Sequence, residues 1–280
     1  MTKIAIIGLG LIGGSIAKCL KKTATIYGVE THQDTINLAK KDGINCVESV
    51  DKLPSHVDLI IIATPILETI KQLNVCAKAI DYPCVITDVS SVKSIIFDNL
   101  PLFKPGVQFC SGHPMAGAEN SGYKSADAAL FEGKNYLLIK QANQTPSVIL
   151  NMLSTLKVAI DYISVIEHDK AMARVSHVPF LLSTLALYDI DESIDVLQNL
   201  VGPGFKDLTR IAASNPTWAQ EIVMANKDPI LDELKRVAKG LDFYGKAIQN
   251  NTSLFESFAS IRKLRETIFP PYSGFKEVTE

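Results

Sequence analysis

Short apolar runs alternate with amphipathic stretches over the first half of the chain. Most of these runs are almost continuously apolar, as parallel strands covered on both faces are. They predict strands at residues 3–7, 25–29, 57–63, 84–87, 107–110 and 136–139. Between them, apolar residues three and four positions apart predict helices at residues 11–22, 34–41, 66–80 and 91–99. This alternation predicts an α/β fold with right-handed crossovers and a doubly wound parallel sheet.

The pattern changes after residue 140. A helical stretch at 144–156 and a strand at 161–166 precede a region that is helical to its end, with amphipathic helices at 167–188, 228–249 and 253–268. We therefore expect a parallel-sheet domain over residues 1–142 and an all-helical domain over residues 143–280. A helical domain with more than one apolar face often buries the surplus in a second copy, so a homodimer is expected.

Composition and charge narrow the classes of function. The 28 Lys and Arg nearly balance the 30 Asp and Glu, which gives no support for nucleic-acid or anionic-membrane binding. The longest apolar runs are too short or too rich in glycine to span a bilayer, which takes about 20 residues. The five cysteines are odd in number and form no CxxC pair, so neither a disulfide framework nor a metal site is expected. These features predict a cytoplasmic protein.

A glycine-rich motif follows the first predicted strand. Residues 8–13 read GLGLIG, a GxGxxG sequence that opens a predicted helix. In a Rossmann-type domain such glycines permit a tight turn, close approach of a pyrophosphate and close helix–strand packing. Glu30 ends the second strand, where its carboxylate can accept hydrogen bonds from the adenine ribose. The residues predicted to bind the cofactor are Gly8, Gly10, Leu11, Ile12, Gly13, Glu30, Thr64, Ser90 and Ser91.

The charges around this motif favour NAD over NADP. All five arginines lie at residue 174 or later, so the nucleotide domain has no guanidinium for a 2′-phosphate. Glu30 would also repel that phosphate. NAD is therefore the expected cofactor.

Two segments near the carboxyl ends of later strands carry the candidate chemistry. Residues 88–93 read DVSSVK, and residues 112–119 read GHPMAGAE. His113 follows a strand directly, so it is expected at the sheet edge where the glycine loop lies. A histidine there is suited to accept the proton of an alcohol whose carbon loses hydride. Local sequence alone also leaves open a structural, hydrogen-bonded histidine.

These motifs resemble those of prephenate dehydrogenases and their arogenate-using relatives. The resemblance rests on GHPMAGAENSG at 112–122 and DVSSVK at 88–93, together with EHD at 167–169, SHVP at 176–179 and GFKDLTRIA at 204–212. The motifs occur in the family's order and cover residues 3 to about 219. The resemblance implies a Rossmann domain followed by a helical dimerisation domain. It also implies oxidative decarboxylation of prephenate to 4-hydroxyphenylpyruvate in tyrosine biosynthesis.

The resemblance further implies roles for single residues. His113 matches the catalytic histidine bonded to the ring hydroxyl of the substrate, and Ser91 matches the serine that bonds both. Arg210 matches the arginine that binds a substrate carboxylate, and because prephenate is a dianion a buried or partly buried arginine would suit that role. The other residues that match the pocket are His177, Asp207, Glu119 and Trp218. His168, at the start of a predicted helix, is interpreted as structural.

Two departures from the family pattern leave the substrate open. Phe180 stands where the family usually has a second histidine, and Pro203 interrupts the family's triple glycine. The alternatives are therefore arogenate as substrate, a related two-domain dehydrogenase or imine reductase with a catalytic Lys or Asp, and a catalytically silent NAD-sensing regulator. We expect neither the chorismate mutase nor the ACT domain known in the family, so that any inhibition by tyrosine would act at the active site.

Overall fold

The computed structural model describes residues 1–118, 120–188, 190 and 199–269. The chain forms two compact units, Met1–Ile230 and Leu231–Glu280. The first unit contains a six-stranded sheet of β1 (Lys3–Ile7), β2 (Thr25–Val29), β3 (Asn45–Val47), β4 (Leu59–Ile62), β5 (Cys84–Asp88) and β6 (Val107–Phe109). All pairings are parallel, in the order β3-β2-β1-β4-β5-β6. This is the doubly wound order of a Rossmann-type domain, which confirms the predicted fold class.

Helices connect these strands and cover the sheet. They are α1 (Leu11–Leu20), α2 (Gln33–Lys41), α3 (Ile66–Ala79) and α4 (Ser94–Asp98). Leu59 and Ile61 belong to one buried apolar cluster, and Ile60 and Ile62 belong to the other. Successive side chains of a strand point to opposite faces, so a continuously apolar strand fills the core on both sides. Each fully buried side chain of this size stabilises the fold by about 1.5–3 kcal/mol.

A second, three-stranded sheet follows in the same unit. It contains β7 (Gly112–Pro114), β8 (Asn135–Ile139) and β9 (Ala159–Ile163), with α5 (Ser147–Leu156) between the last two strands. Strand β7 pairs antiparallel with β8, and β8 pairs parallel with β9. The buried residues Ile149 and Leu153 of α5 lie in the same apolar cluster as Ile16 of α1. The predicted domain division at residue 142 therefore falls between two paired strands.

From residue 165 onward every regular element that the structure describes is helical. These elements are α6 (Val165–Met172), α7 (Val178–Leu185), α8 (Pro203–Thr209), α9 (Pro216–Ala225), α10 (Lys227–Gln249) and α11 (Phe255–Ile268), with short turns between them. The second unit contains most of α10 and all of α11, where the rings of Tyr244 and Phe258 stack with centroids 6.0 Å apart. Over the part of the chain described here, no helix is both long and apolar enough to cross a membrane.

The single helix predicted at 167–188 is interrupted. Residues Ala173–His177 form a π-helical turn between α6 and α7. Pro179 has no amide hydrogen to donate to the carbonyl of Val175, so the regular α-helical bonding cannot continue there. The interruption changes the direction in which the following side chains leave the helix axis, and it contains His177.

Two other predicted elements differ from the structure at their ends, and two short strands have no counterpart among the predictions. The strand predicted at 161–166 lies at Ala159–Ile163 because Ser164 starts α6 as its N-cap, in a reciprocal capping box with Glu167. The helix predicted at 91–99 begins only at Ser94. The short strands β3 and β7 were not predicted, since three residues give too little periodicity to identify a strand.

Candidate active site

The glycine loop between β1 and α1 has the geometry that its sequence predicts. Gly8 has a φ of +87°, and a Cβ there would come within 2.8 Å of the carbonyl oxygen of Ala63. A Cβ on Gly13 would overlap the carbonyl oxygen of Gly8, so the helix packs directly on the turn. Gly10, by contrast, faces open space, with no atom within 4 Å of a Cβ built there.

The open space at Gly10 fits a bound dinucleotide. Gly10 is the N-cap of α1 and has no side-chain cap, so the first amides of the helix, including those of Leu11 and Ile12, lack a side-chain acceptor at the cap. Unpaired amides at a helix N-terminus bind phosphate, because the helix dipole is positive there. The residues present in this loop therefore fit the pyrophosphate of NAD.

Glu30 lies beside the glycine loop with its carboxylate held in place. One oxygen accepts a hydrogen bond from the amide of Leu9 at 3.1 Å, and the other accepts from the amides of Thr31 and His32 at 2.8 and 2.9 Å. A carboxylate accepts up to about four hydrogen bonds, so acceptor capacity remains for a ribose hydroxyl. The structure thus brings Glu30 to the position that the spacing predicts.

Thr64 and Ser90 lie at the ends of β4 and β5, along the same edge. The hydroxyl of Thr64 is 2.9 Å from the hydroxyl of Thr69, and its methyl group would be 2.8 Å from a Cβ on Gly8. The Ser90 hydroxyl is buried and has no hydrogen-bond partner among the described residues. A buried polar atom without a partner is costly unless a ligand satisfies it, and Ser90 therefore fits a cofactor-binding role. Ser91, next along the chain, is partly buried.

A buried ion pair holds the strand that carries His113. The Lys93 ammonium lies 2.7 Å from Oδ2 of Asp88 and donates to the carbonyl of Gly112 at 2.5 Å. Ser111 donates to the other Asp88 oxygen at 2.6 Å. Burial lowers the pKa of Lys93, and the Asp88 carboxylate opposes that change. Both residues belong to the DVSSVK motif, but the sequence alone indicates no role for either of them.

His113 is hydrogen-bonded to a second histidine. Its Nδ1 lies 3.0 Å from Nε2 of His168, and Nδ1 of His168 lies 2.7 Å from Oδ1 of Asp169. Burial lowers the pKa of His113 well below its usual value, and the Lys93 charge lowers it further, followed by His168 and His177. His113 is therefore neutral near pH 7, as a base must be. Among the described residues, no hydrogen bond joins it to Ser91.

Asp169 connects this pair to the start of α4. It accepts from the backbone amides of Lys93 at 2.8 Å and Ser94 at 2.7 Å. Burial alone would raise the pKa of Asp169, but the hydrogen bonds from His168, Ser94 and Lys93 lower it overall. From the sequence alone, the role expected of His168 is structural. Its contact with His113 joins residues 55 positions apart, and no local pattern in the sequence contains such a contact.

His177, predicted to line the substrate pocket, is buried in the same region. Its Nδ1 accepts from the side-chain amide of Asn226 at 2.9 Å, and that amide also donates to the carbonyl of Asp169 at 2.8 Å. Burial lowers the pKa of His177 to about 4, with His168 adding to the effect and Asp169 opposing it. The structure therefore places His177 within two hydrogen bonds of Asp169.

Arg210, predicted to bind a substrate carboxylate, and two residues predicted to line the pocket lie on the surface of the chain. Arg210 and Asp207 are exposed, and Trp218 is 47% exposed. The expectation of a buried or partly buried Arg210 is therefore wrong for the single chain. Arg210 starts a 3-10 turn that ends at Ala213. The turn contacts α7 through a 3.1 Å bond from the Ala212 amide to the Ser183 hydroxyl. The predicted residue Glu119 lies outside the described residues.

The comparisons with known proteins agree across the chain. The family model described as prephenate dehydrogenase, nucleotide-binding domain, matches residues 16–161, and that described as prephenate dehydrogenase, dimerization domain, matches residues 164–261. The chain is 33% identical to the prephenate dehydrogenase of Lactococcus lactis subsp. cremoris over 95% of its own length and 78% of that relative.

Solved structures extend the agreement to the fold. The crystal structure of prephenate dehydrogenase from A. aeolicus in complex with hydroxyphenyl propionate and NAD⁺ has a TM-score of 0.83 at 26% identity, covering 96% of this chain and 98% of that one. The crystal structure of Synechocystis arogenate dehydrogenase has a TM-score of 0.80 at 26% identity, covering 95% and 100%.

Proposed function

The chain belongs to the prephenate dehydrogenase family, and on that premise we propose that it catalyses the NAD-dependent oxidative decarboxylation of prephenate to 4-hydroxyphenylpyruvate, a step of tyrosine biosynthesis. The observation that carries this proposal is a neutral His113 held next to the sheet edge where the glycine loop binds NAD. Its lowered pKa leaves it unprotonated at neutral pH, ready to accept a proton.

The cofactor is held by the glycine loop, Glu30, Thr64 and the two serines of DVSSVK. The amides at the start of α1 bind the pyrophosphate and Glu30 accepts from the ribose, while the unpartnered hydroxyl of Ser90 is available to the nicotinamide end. NAD, when bound, supplies the acceptor for the hydride. The protein supplies orientation and the proton-accepting group.

His113 and Ser91 act on the ring hydroxyl of the substrate. His113 accepts the hydroxyl proton as hydride leaves the same carbon, and Ser91 orients that hydroxyl. Loss of carbon dioxide from the opposite ring carbon then supplies the electron pair that makes the ring aromatic. The proton returns from His113 to the phenolic oxygen, so that the histidine is neutral again after each turnover. Aromatisation and release of carbon dioxide make the reaction effectively irreversible.

Arg210 binds one carboxylate of the substrate, and His177, Asp207, Glu119 and Trp218 line the pocket. A substrate dianion is matched by the guanidinium of Arg210, which presents paired donors to a carboxylate. Arg210 is exposed in the single chain. We propose that two chains form a homodimer. The exposed apolar residues Leu241, Phe258 and Ile261 of the region that matches a dimerization domain, with Leu264 and Ile268 just beyond it, support this.

Arogenate is the second candidate substrate. Phe180 stands in α7 in place of the family's second histidine, and it is partly buried three residues after His177. The similarity to a Synechocystis arogenate dehydrogenase also favours this candidate. The two substrates differ only in a keto or an amino group on the side chain, so the residues that contact that group decide between them.

Steady-state assays with purified protein test both candidates. We expect NADH to form with NAD and prephenate, with a higher kcat/KM than with arogenate, and 4-hydroxyphenylpyruvate to be the product by chromatography. Efficient turnover of arogenate to tyrosine with little use of prephenate would contradict the main proposal. Binding of NAD without turnover of either substrate would instead favour a regulatory protein.

The five cysteines are all free, and we propose a reducing, cytoplasmic location on that basis.

A further inference from the structure

We propose that Asp169 and His168 together fix the tautomer of His113, so that its Nδ1 carries the proton and its Nε2 presents a lone pair to the substrate hydroxyl. His168 and Asp169 are then positioning residues, which act through His113. The catalytic consequence rests on the proposed function of His113 as the base, whereas the tautomer itself does not depend on it.

The direction of the hydrogen bonds begins at Asp169. Its lowered pKa keeps it ionised near neutral pH, so both of its oxygens can only accept. One oxygen accepts from the amide of Ser94, and the other accepts from the amide of Lys93 and from the ring of His168. At 2.7 Å from a carboxylate oxygen, Nδ1 of His168 must carry a proton.

The next hydrogen bond follows from the chemistry of a neutral imidazole. When one ring nitrogen of a neutral histidine carries the proton, the other can only accept. His168 has no exposed surface, and with its proton on Nδ1 its Nε2 is the acceptor. The nitrogen 3.0 Å away is Nδ1 of His113, which must therefore donate.

Nε2 of His113 is the ring nitrogen that remains to accept a proton from the substrate. With its proton on Nδ1, a neutral His113 has its lone pair on Nε2. The structure gives Nε2 of His113 no hydrogen-bond partner among the described residues. The neighbouring Lys93 ammonium pairs with Asp88 and donates to Gly112, so it does not compete for this nitrogen. Nε2 is thus free to accept the proton of the substrate.

The same series of bonds stabilises the product of the proton transfer. When Nε2 takes the proton, His113 becomes an imidazolium that still donates from Nδ1 to His168. The negative charge of Asp169 lies one ring away and is already oriented by two backbone amides. Electrostatic stabilisation that is built into the folded protein needs no reorganisation during the reaction.

Nitrogen-15 NMR of histidine-labelled protein tests the tautomer directly. The five histidines are few enough to assign by single substitutions. In the holoenzyme with NAD near pH 7, we expect Nδ1 of His113 to be protonated and Nε2 to be unprotonated. The opposite tautomer, or a doubly protonated His168 that donates to His113, would overturn the proposal.

Two substitutions of His168 test the catalytic consequence. His168→Gln places an amide oxygen near the former Nε2 and can still accept from His113, whereas His168→Leu cannot accept at all. We expect kcat with prephenate to fall at least about tenfold in His168→Leu, with little change in KM, and to be largely recovered in His168→Gln. His56→Gln, an exposed histidine away from the site, serves as the matched control.

The outcomes separate the two proposals. Equal losses of kcat in His168→Gln and His168→Leu, both with wild-type NAD affinity and thermal stability, would overturn the positioning role. The expected tautomer in a protein that turns over neither prephenate nor arogenate would support the hydrogen-bond assignment and refute the proposed function.

Discussion

The Lys93 ammonium and the Asp88 carboxylate form an ion pair at 2.7 Å, and neither side chain has any exposed surface. The pair joins the end of β5 to the carbonyl of Gly112, the residue that precedes His113. Such a pair is expensive to bury, but removal of one partner is more expensive because it leaves an uncompensated charge. Its position next to His113 links the stability of the sheet to the placement of the base.

Loss of Lys93 alone is therefore expected to destabilise the protein strongly. Lys93→Met should lower the free energy of unfolding by about 3–5 kcal/mol, because Asp88 is left charged and buried. The double variant Asp88→Asn/Lys93→Met removes both charges and should recover part of that loss in urea denaturation. Lys71→Met, which breaks an exposed pair with Glu68, is the control and should change stability by less than about 1 kcal/mol. A mild effect of Lys93→Met would show that the pair contributes little.

Replacement of His113 by asparagine should lower turnover and leave NAD binding intact. Asparagine is polar but cannot act as a base, so we expect kcat to fall by roughly 10²–10⁴-fold. Because burial lowers the pKa of His113 well below its usual value of about 6.5, the wild-type rate should decline only at pH values well below 6.5, where the base becomes protonated. The variant should lack this decline. Near wild-type turnover in a folded His113→Asn protein would make Ser91 or His177 the next base to test.

Cofactor preference should depend on Glu30. The carboxylate accepts from ribose hydroxyls and repels a 2′-phosphate, so the wild type should strongly prefer NAD over NADP in steady-state kinetics. Glu30→Ser or Glu30→Arg should narrow or reverse that preference. Glu48→Gln, at the exposed end of the neighbouring strand, should leave it unchanged. Equal use of both cofactors by the wild type would exclude this role for Glu30.

Arg210 should act on substrate binding. Arg210→Ala should raise KM for prephenate at least about tenfold, corresponding to about 1.4 kcal/mol, without changing the affinity for NAD. Because Arg210 is exposed in the single chain, we expect this smaller loss of substrate-binding free energy and not the 2–5 kcal/mol typical of breaking a buried charge pair. Arg210→Lys keeps the charge without the paired donors, so its KM for prephenate should lie between those of the wild type and Arg210→Ala. Arg236→Ala, on α10, is the control, and an unchanged KM in Arg210→Ala would mean that another residue binds the carboxylate.

Acid should destabilise the fold through His177. Burial lowers the pKa of His177 from 6.5 to about 4, so the unfolded chain binds more protons than the folded chain between those values. The contribution of neutral His177 to the free energy of unfolding is therefore fully present above about pH 6.5. It falls by on the order of 3 kcal/mol as the pH approaches 4. Urea denaturation midpoints of the wild type should fall over this range more than those of His177→Asn. The same change of midpoint with pH in the two proteins would contradict a contribution from His177.

Local sequence was enough to predict the cofactor loop and most of the strands and helices of the nucleotide-binding half. The glycine loop, the acidic end of β2 and the continuously apolar β4 each depend on neighbours within one strand–turn–helix unit. Such units are predictable because the turn needs glycine at Gly8 for steric reasons, and because a strand covered on both faces must be apolar throughout. Predictions about elements whose ends depend on a cap or a proline were less accurate, as the π-helical turn before Pro179 illustrates.

The sequence by itself determined the doubly wound parallel fold, the position of the cofactor loop and the candidacy of His113 as the base, although the structure places His113 within β7 and not after the end of a strand. Only the tertiary structure decided which side chains touch that histidine. His113 meets His168 because β7 and the start of α6 come together across 55 residues, and Asn226 joins Asp169 to His177 from the turn between α9 and α10. Periodicity determines which face of an element is buried, but the partner that it meets is set by the packing of elements distant in the chain.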